Sequence, residues 1–144
     1  VILKTGNMWD EPADLYFCTT NSTLTHDGRL VMGKGSAKEM CRRHGGIDKL
    51  FGIAVHTYGP RYGVLVQNYD SVLLGAFQTK YNWREPSSPD LIQYSTSKLL
   101  WICEHYDYTI FLPFPGIGCG GLTEDEVLPI ISVLRDNVVI WRRS

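Results

Sequence analysis

The sequence predicts an α/β fold, a mixed β-sheet sandwiched between helices, with residues 1–144 as one domain. Three observations lead there. Strand-like apolar runs alternate with helix-like segments along the whole chain. The richest glycine clusters fall at strand-to-helix junctions, where such folds place ligand loops. One pair of strand-like runs is separated only by Asp70-Ser71, which makes an antiparallel hairpin in an otherwise crossover-connected order.

The elements are taken in chain order. Val1 to Lys4 reads as a first strand rather than a signal peptide, and Asp14 to Thr20 as a second, more buried one. Ser36 to His44 reads as a helix with Ala37, Met40 and Cys41 on one face. Gly45-Gly46 stops it, and Ile47 to Phe51 adds a short helical turn. Gly63–Tyr69 and Val72–Phe77 form the hairpin. Gln78 to Ser88, polar and aromatic, reads as a loop. Ser88-Pro89-Asp90 opens the next helix, with Ser as N-cap, Pro at the first position and an acid in the first turn. Leu91, Ser95, Leu99, Ile102, Cys103 and Tyr106 form its inward stripe. Thr109 to Phe114 is a strand. Thr123 and Glu126 form a capping box for a helix running to about Asn137, which buries Val127, Ile130, Ile131 and Leu134 and is kinked by Pro129 unless that residue lies in the first turn. Val138 to Trp141 closes the sheet.

Composition excludes several function classes. Of 144 residues, 44% are hydrophobic and 20% charged, a balance that suits a globular domain. No apolar run reaches the roughly 20 residues of a membrane span. The net charge of −1 lacks the basic excess of a protein that tracks nucleic acid, and leaves room only for a local contact with single-stranded DNA. The four cysteines, Cys18, Cys41, Cys103 and Cys119, form no C-x-x-C pair and join no zinc-like histidine spacing, so no metal is expected. They read as packed thiols of a reducing compartment, which points to the cytoplasm; one small domain is expected to be a monomer.

Two segments are built for close approach of backbone to an anion. Val31-Met32-Gly33-Lys34-Gly35 runs straight into a helix. Gly116-Ile117-Gly118-Cys119-Gly120-Gly121 lies between a strand and a helix. Glycines expose main-chain N–H groups, and a helix N-terminus adds partial positive charge. Neither segment is a Walker A or a Rossmann fingerprint. Together they suit a diphosphate held from both sides; as tight turns alone they would carry no ligand.

The order and spacing of three motifs resemble those of macro domains over nearly the whole chain: Thr5-Gly6-Asn7, then Thr20-Asn21 with Val31 to Ala37, then Leu112 to Leu122. The resemblance implies a ligand, ADP-ribose, and no cofactor. It implies that Gly33, Gly35, Gly116, Gly118, Cys119 and Gly120 line the pyrophosphate and that Met32 and Ile117 pack over the ligand. For these two, ordinary core contacts are the competing reading. Asn21 would hydrogen-bond the distal ribose, the alternative being an Asx turn. Asn7 would accept from the adenine amino group, the alternative being an exposed turn residue.

Phe77-Gln78-Thr79-Lys80-Tyr81-Asn82-Trp83-Arg84 resembles the Thr-Lys-x-x-Trp-Arg segment of the DarG-type antitoxin branch, whose members remove ADP-ribose from thymine in DNA. A related human glycohydrolase with a lysine here acts on acidic protein side chains. The resemblance implies an ADP-ribosyl hydrolase with Lys80 and Asn21 catalytic and Thr79 and Trp83 at the ligand. A lysine amine can attack the anomeric carbon of an opened ribose, which requires the neutral amine and is helped by a cation such as Arg84. Lys34 carries no assigned role. The chain departs from the family at Thr123, where related loops carry an acid. A non-catalytic ADP-ribose reader and an ADP-ribose 1″-phosphate phosphatase are the competing functions.

Overall fold

The computed structural model describes residues 1–143. Its six strands are β1 (Ile2–Thr5), β2 (Leu15–Thr20), β3 (Val64–Tyr69), β4 (Val72–Gln78), β5 (Ile110–Pro113) and β6 (Val138–Arg142). The four α-helices are α1 (Gly35–Arg43), α2 (Ile47–Tyr58), α3 (Pro89–His105) and α4 (Glu124–Ile131). The strands form one sheet in the order β1-β6-β5-β2-β4-β3. Every neighbouring pair is parallel except β3–β4, so the mixed sheet stands as the sequence predicts.

Side chains leave a strand alternately to its two faces, and β2 uses both. Leu15 and Phe17 join Leu99, Ile110, Val127 and Ile140 in the core under α3 and α4. Cys18 joins Met40, Phe51 and Leu74 in the core under α1 and α2. Phe17 pairs across β2–β4 with Gly75. A Cβ on Gly75 would lie 2.3 Å from the Phe17 ring, so glycine is there to admit the phenyl group. The hairpin turn places Asp70 at φ 44° and Ser71 at φ 70°, the paired left-handed residues that match strand twist.

Helix boundaries are set by local chemistry in most places and by tertiary packing at the end of α2. Ser88 accepts a hydrogen bond from Leu91 N at 3.3 Å with Pro89 beside it. Thr123 and Glu126 cap each other reciprocally. Gly46 at φ 88° separates α1 from α2. The short turn expected over Ile47–Phe51 is instead a twelve-residue helix to Tyr58. Gly52 weakens helix propensity, but Ile47, Phe51 and Val55 bury one face. Gly52 itself lies against the backbone of Gly28, where a Cβ would come within 2.0 Å of the carbonyl oxygen. The last helix, expected to reach Asn137, ends at Ile131. Pro129 lies beyond the first turn and cannot donate to the carbonyl four residues back, and the helix ends two residues after it. Leu134 is still buried from the turn beyond the helix, and Ile130 is only partly so. Tyr106, expected on the inward stripe of α3, is its C-cap and 47% exposed. Ile92 and Thr96 fill that face instead.

Candidate functional site

All the strands but β3 run the same way, so the chain leaves β1, β2, β4, β5 and β6 along one edge of the sheet. From β2 it passes through α1 and α2 toward β3 at one end. From β5 it passes through α4 toward β6, on the other side. These opposite departures make a topological switch point between β2 and β5, the place where open α/β sheets hold ligands. Both glycine segments begin there.

In the segment after β2, the N–H groups of Met32, Gly33 and Lys34 have no protein acceptor among the described residues. Lys34 is the N-cap of α1 but supplies no side-chain cap, so the helix opens with its orphan amides uncapped. Ser36 ties this N-terminus to the sheet: its Oγ accepts from Thr19 N at 3.1 Å. After β5, the N–H groups of Gly116, Ile117, Gly118 and Cys119 likewise have no protein acceptor among the described residues. Leu122 N donates to Gly116 O at 2.9 Å and closes the loop.

The glycines here have different causes. A Cβ at Gly116 would meet Ile92 at 2.7 Å, and one at Gly120 would meet Ser87 Oγ at 2.4 Å. Gly35 and Gly118 have φ of 60° and 66°. Gly33 has neither constraint: its φ is ordinary and a Cβ would meet nothing within 4 Å. Packing and turn geometry explain four of these glycines and leave Gly33 unexplained by the protein itself.

The segment after β4 joins the two loops. Thr79 N donates to Thr20 O at 3.0 Å, and Thr79 is buried. Ser22 N donates to Tyr81 O at 2.8 Å, and Trp83 N to Thr23 Oγ1 at 3.1 Å. At its far end Ser87 N donates to Gly120 O at 2.8 Å. Lys80 is thereby held between the Asn21 loop and the second glycine loop, half-buried, with no carboxylate in ion-pair reach among the described residues. Gln78 anchors this arrangement. It is fully buried, its Oε1 accepts from Gly63 N at 2.9 Å, and its Nε2 donates to Pro60 O at 2.7 Å and Lys80 O at 3.3 Å. Trp83 and Tyr81 are 39% and 40% exposed. The Arg84 guanidinium sits 4.9 Å from the Trp83 ring centre.

Both asparagines shape their own loops. Asn21 Oδ1 accepts from Thr23 N at 2.8 Å, which is the Asx turn, and its Nδ2 donates to Val31 O at 3.1 Å. One amide hydrogen and one lone pair remain for a diol. Asn7 Oδ1 accepts from Trp9 N at 3.0 Å and caps a 3-10 turn, Met8–Asp10. Asn7 also borders a cleft of about 310 Å³ walled by Trp9, Ser36, Glu39, Pro113 and Trp141. These wall residues carry no local sequence signal, because they come from β1, α1, β5 and β6 regions. Met32 is a core residue, 7% exposed, with Cys41 Sγ 3.7 Å from its sulfur. Ile117 packs partly against the α3–α4 core.

The cysteines are all free. Burial pushes the Cys18 thiol far up, and burial with the nearby Asp48 carboxylate pushes Cys41 up to about 11. Cys119 is exposed, in the second glycine loop.

Neither a protein-family model nor a curated protein sequence matches the chain. Solved structures do. The macrodomain of Thermus aquaticus DarG is 25% identical, with 99% of this chain and 98% of that one covered and a TM-score of 0.79. The macrodomain of Mycobacterium tuberculosis DarG is 23% identical, with 99% and 97% covered and a TM-score of 0.82. The chain has the fold of a DarG-like macrodomain. It is also similar to Thermosipho africanus DarTG in complex with ADP-ribose, at 21% identity and a TM-score of 0.78, and spans 42% of that chain.

The second loop, residues 116–122, contains no carboxylate. Thr123 is occupied as the cap of α4. The next residue, Glu124, turns both carboxylate oxygens to Arg142 Nε, at 2.8 and 2.9 Å. Among the described residues no helix is long and apolar enough to cross a membrane.

Proposed function

We propose that this macrodomain binds ADP-ribose at the switch point and removes it from a modified target, with Lys80 as the catalytic residue. The observation that carries the reading is the pair of loops with free main-chain N–H groups diverging from β2 and β5. A diphosphate between them would meet amides from both sides and the positive end of α1. The similar Thermosipho africanus DarTG structure holds ADP-ribose, which supports this ligand over other diphosphates. The cleft beside Asn7 lies toward β1 and β6, and suits the adenine. Lys80 and Asn21 lie on the opposite side of the switch point and suit the distal ribose.

In the proposed reaction the C1″–O4″ bond breaks as O4″ takes up a proton, and the Lys80 amine adds to C1″ of the opened ribose. The target departs with the electrons of its C1″ bond and takes up a proton. Water then hydrolyses the resulting imine, restoring the amine and freeing ADP-ribose. Thymine in DNA and an acidic protein side chain are the two target classes. Trp83 and Tyr81 beside Lys80 offer ring faces on which an extruded base could stack.

A second reading, a binding module without turnover, is supported by the engagement of Thr123 as the cap of α4 and of Glu124 with Arg142. One experiment separates the readings. Wild type and Lys80→Ala are assayed on ADP-ribosylated thymidine DNA and on a glutamyl-ADP-ribosylated protein, with ADP-ribose affinity measured by calorimetry. Release by wild type alone, with affinity within about threefold in both proteins, supports the hydrolase. Binding without release by either protein supports the reader. Loss of binding in a folded Lys80→Ala protein refutes the assignment of Lys80.

A further inference from the structure

The end of the sheet farthest from β1 is a second candidate site. Strand β3 is the edge, and it lies along a trough of about 710 Å³ lined by α2 on one side and α3 on the other. The backbone register shows which β3 groups are free. Gln78 N donates to Gly63 O at 2.8 Å, and the antiparallel pairing continues with Leu65 opposite Ala76, Gln67 opposite Leu74 and Tyr69 opposite Val72. Hydrogen-bonded and non-hydrogen-bonded pairs alternate along such a ladder. The odd-numbered residues of β3 therefore bond β4, and Val66 and Asn68 turn their main-chain groups outward. An unpaired strand edge is a template for another strand.

The trough lining is mixed, with exposed apolar side chains among polar ones, and its end is positive. Ile53, Tyr58 and Val66 are 58%, 72% and 42% exposed. Where β3 begins, the Arg61 guanidinium lies 3.8 Å from the Tyr94 ring centre, and Lys98 Nζ lies 5.2 Å from the same ring. Neither cation has a carboxylate in ion-pair reach among the described residues. Two like charges gathered on one ring without a counter-ion favour an anionic partner.

We propose that this trough docks an extended acidic segment of a partner polypeptide, added as a strand to β3 with its carboxylates at Arg61 and Lys98. Nucleic acid would satisfy the cations but leave the outward amides of Val66 and Asn68 and the exposed Ile53 and Val66 side chains unused. A second copy fits poorly, because its β3, Val64–Tyr69, carries no carboxylate to meet the cations. Only β4 stands between this edge and β2, and Tyr62 in the trough lining donates to Asn21 O at 2.7 Å, so the variants that test the trough leave Tyr62 in place.

The test uses the whole chain and a fluorescent peptide of alternating glutamate and valine, with a lysine–valine peptide and a dT oligonucleotide as comparisons. The glutamate peptide binds and protects the Val66 and Asn68 amides from hydrogen exchange. Val66→Pro removes an outward donor from an edge strand, where proline is tolerated, and abolishes that binding. Arg61→Glu with Lys98→Glu weakens it by about tenfold. ADP-ribose affinity is unchanged in both variants. No binding of the glutamate peptide, equal binding of the lysine peptide, preferential binding of the oligonucleotide, insensitivity to Val66→Pro, or dimerisation through β3 would each overturn the proposal.

Discussion

Gly33→Ala separates what the fold requires from what the ligand requires. A methyl group there has no protein neighbour within 4 Å, and the backbone φ is one that alanine adopts. The substitution therefore introduces no clash or strain. It lowers the entropy of the unfolded chain, which stabilises the protein by about 0.4–1 kcal/mol. For 144 residues that raises Tm by about 1–3 °C. A pyrophosphate held by the free amides around Gly33 would meet the methyl group and lose one charge-assisted hydrogen bond, about 1.5–3 kcal/mol. ADP-ribose affinity then falls by roughly 10- to 100-fold. Thermal unfolding without ligand gives the first quantity, and calorimetric titration the second. Unchanged affinity in a folded Gly33→Ala protein would show that the ligand does not approach this backbone. Loss of stability would show that the open space at Gly33 is wrong. Gly75→Ala is the internal control: the Phe17 ring at 2.3 Å makes it destabilising whether or not ligand is present.

Other consequences are as specific. Gln78→Leu leaves Gly63 N and Pro60 O without their buried partner, and urea unfolding should show a loss of about 2–4 kcal/mol. In the native protein, Cys119 reacts first with a thiol reagent and ADP-ribose slows that reaction, whereas the buried Cys18 reacts only after unfolding; equal native rates would contradict the burial. His44, beside Trp9 and Tyr69, is held below the usual histidine range by burial and then by the Arg43 charge. The folded state thus binds the proton more weakly than the unfolded chain. Stability contributed by the neutral ring is present above the ordinary histidine range and is lost as pH falls through it toward the lowered folded value. The loss between pH 7 and pH 5 should be smaller in His44→Gln, measured by thermal unfolding.

Much of the fold was legible because its signals are local. Ser88-Pro89, Thr123 with Glu126, and Asp70-Ser71 each fix backbone geometry within four residues, and all three act as the sequence predicts. Alternation along β2 likewise assigns Leu15 and Phe17 to one face and Cys18 to the other. Helix ends were less legible where packing overrode propensity. Gly52 weakens the helix signal, yet α2 continues because Ile47, Phe51 and Val55 bury one face, with glycine at 52 admitting the Gly28 backbone.

The sequence by itself determined the strand and helix alternation, the caps, and the two glycine segments, since each depends on neighbours in the chain. It could not determine that the segment around Lys80 is sewn to both. That depends on bonds such as Ser22 Oγ to Tyr81 O, across 59 residues. Nor could it show that Tyr62 OH reaches Asn21 O, that Gln78 is buried, or that Trp9, Glu39 and Trp141 share one cleft. Those facts depend on the order of strands in the sheet, which sets the residues that meet at its edge. Order is a property of long-range pairing, and no local pattern encodes it.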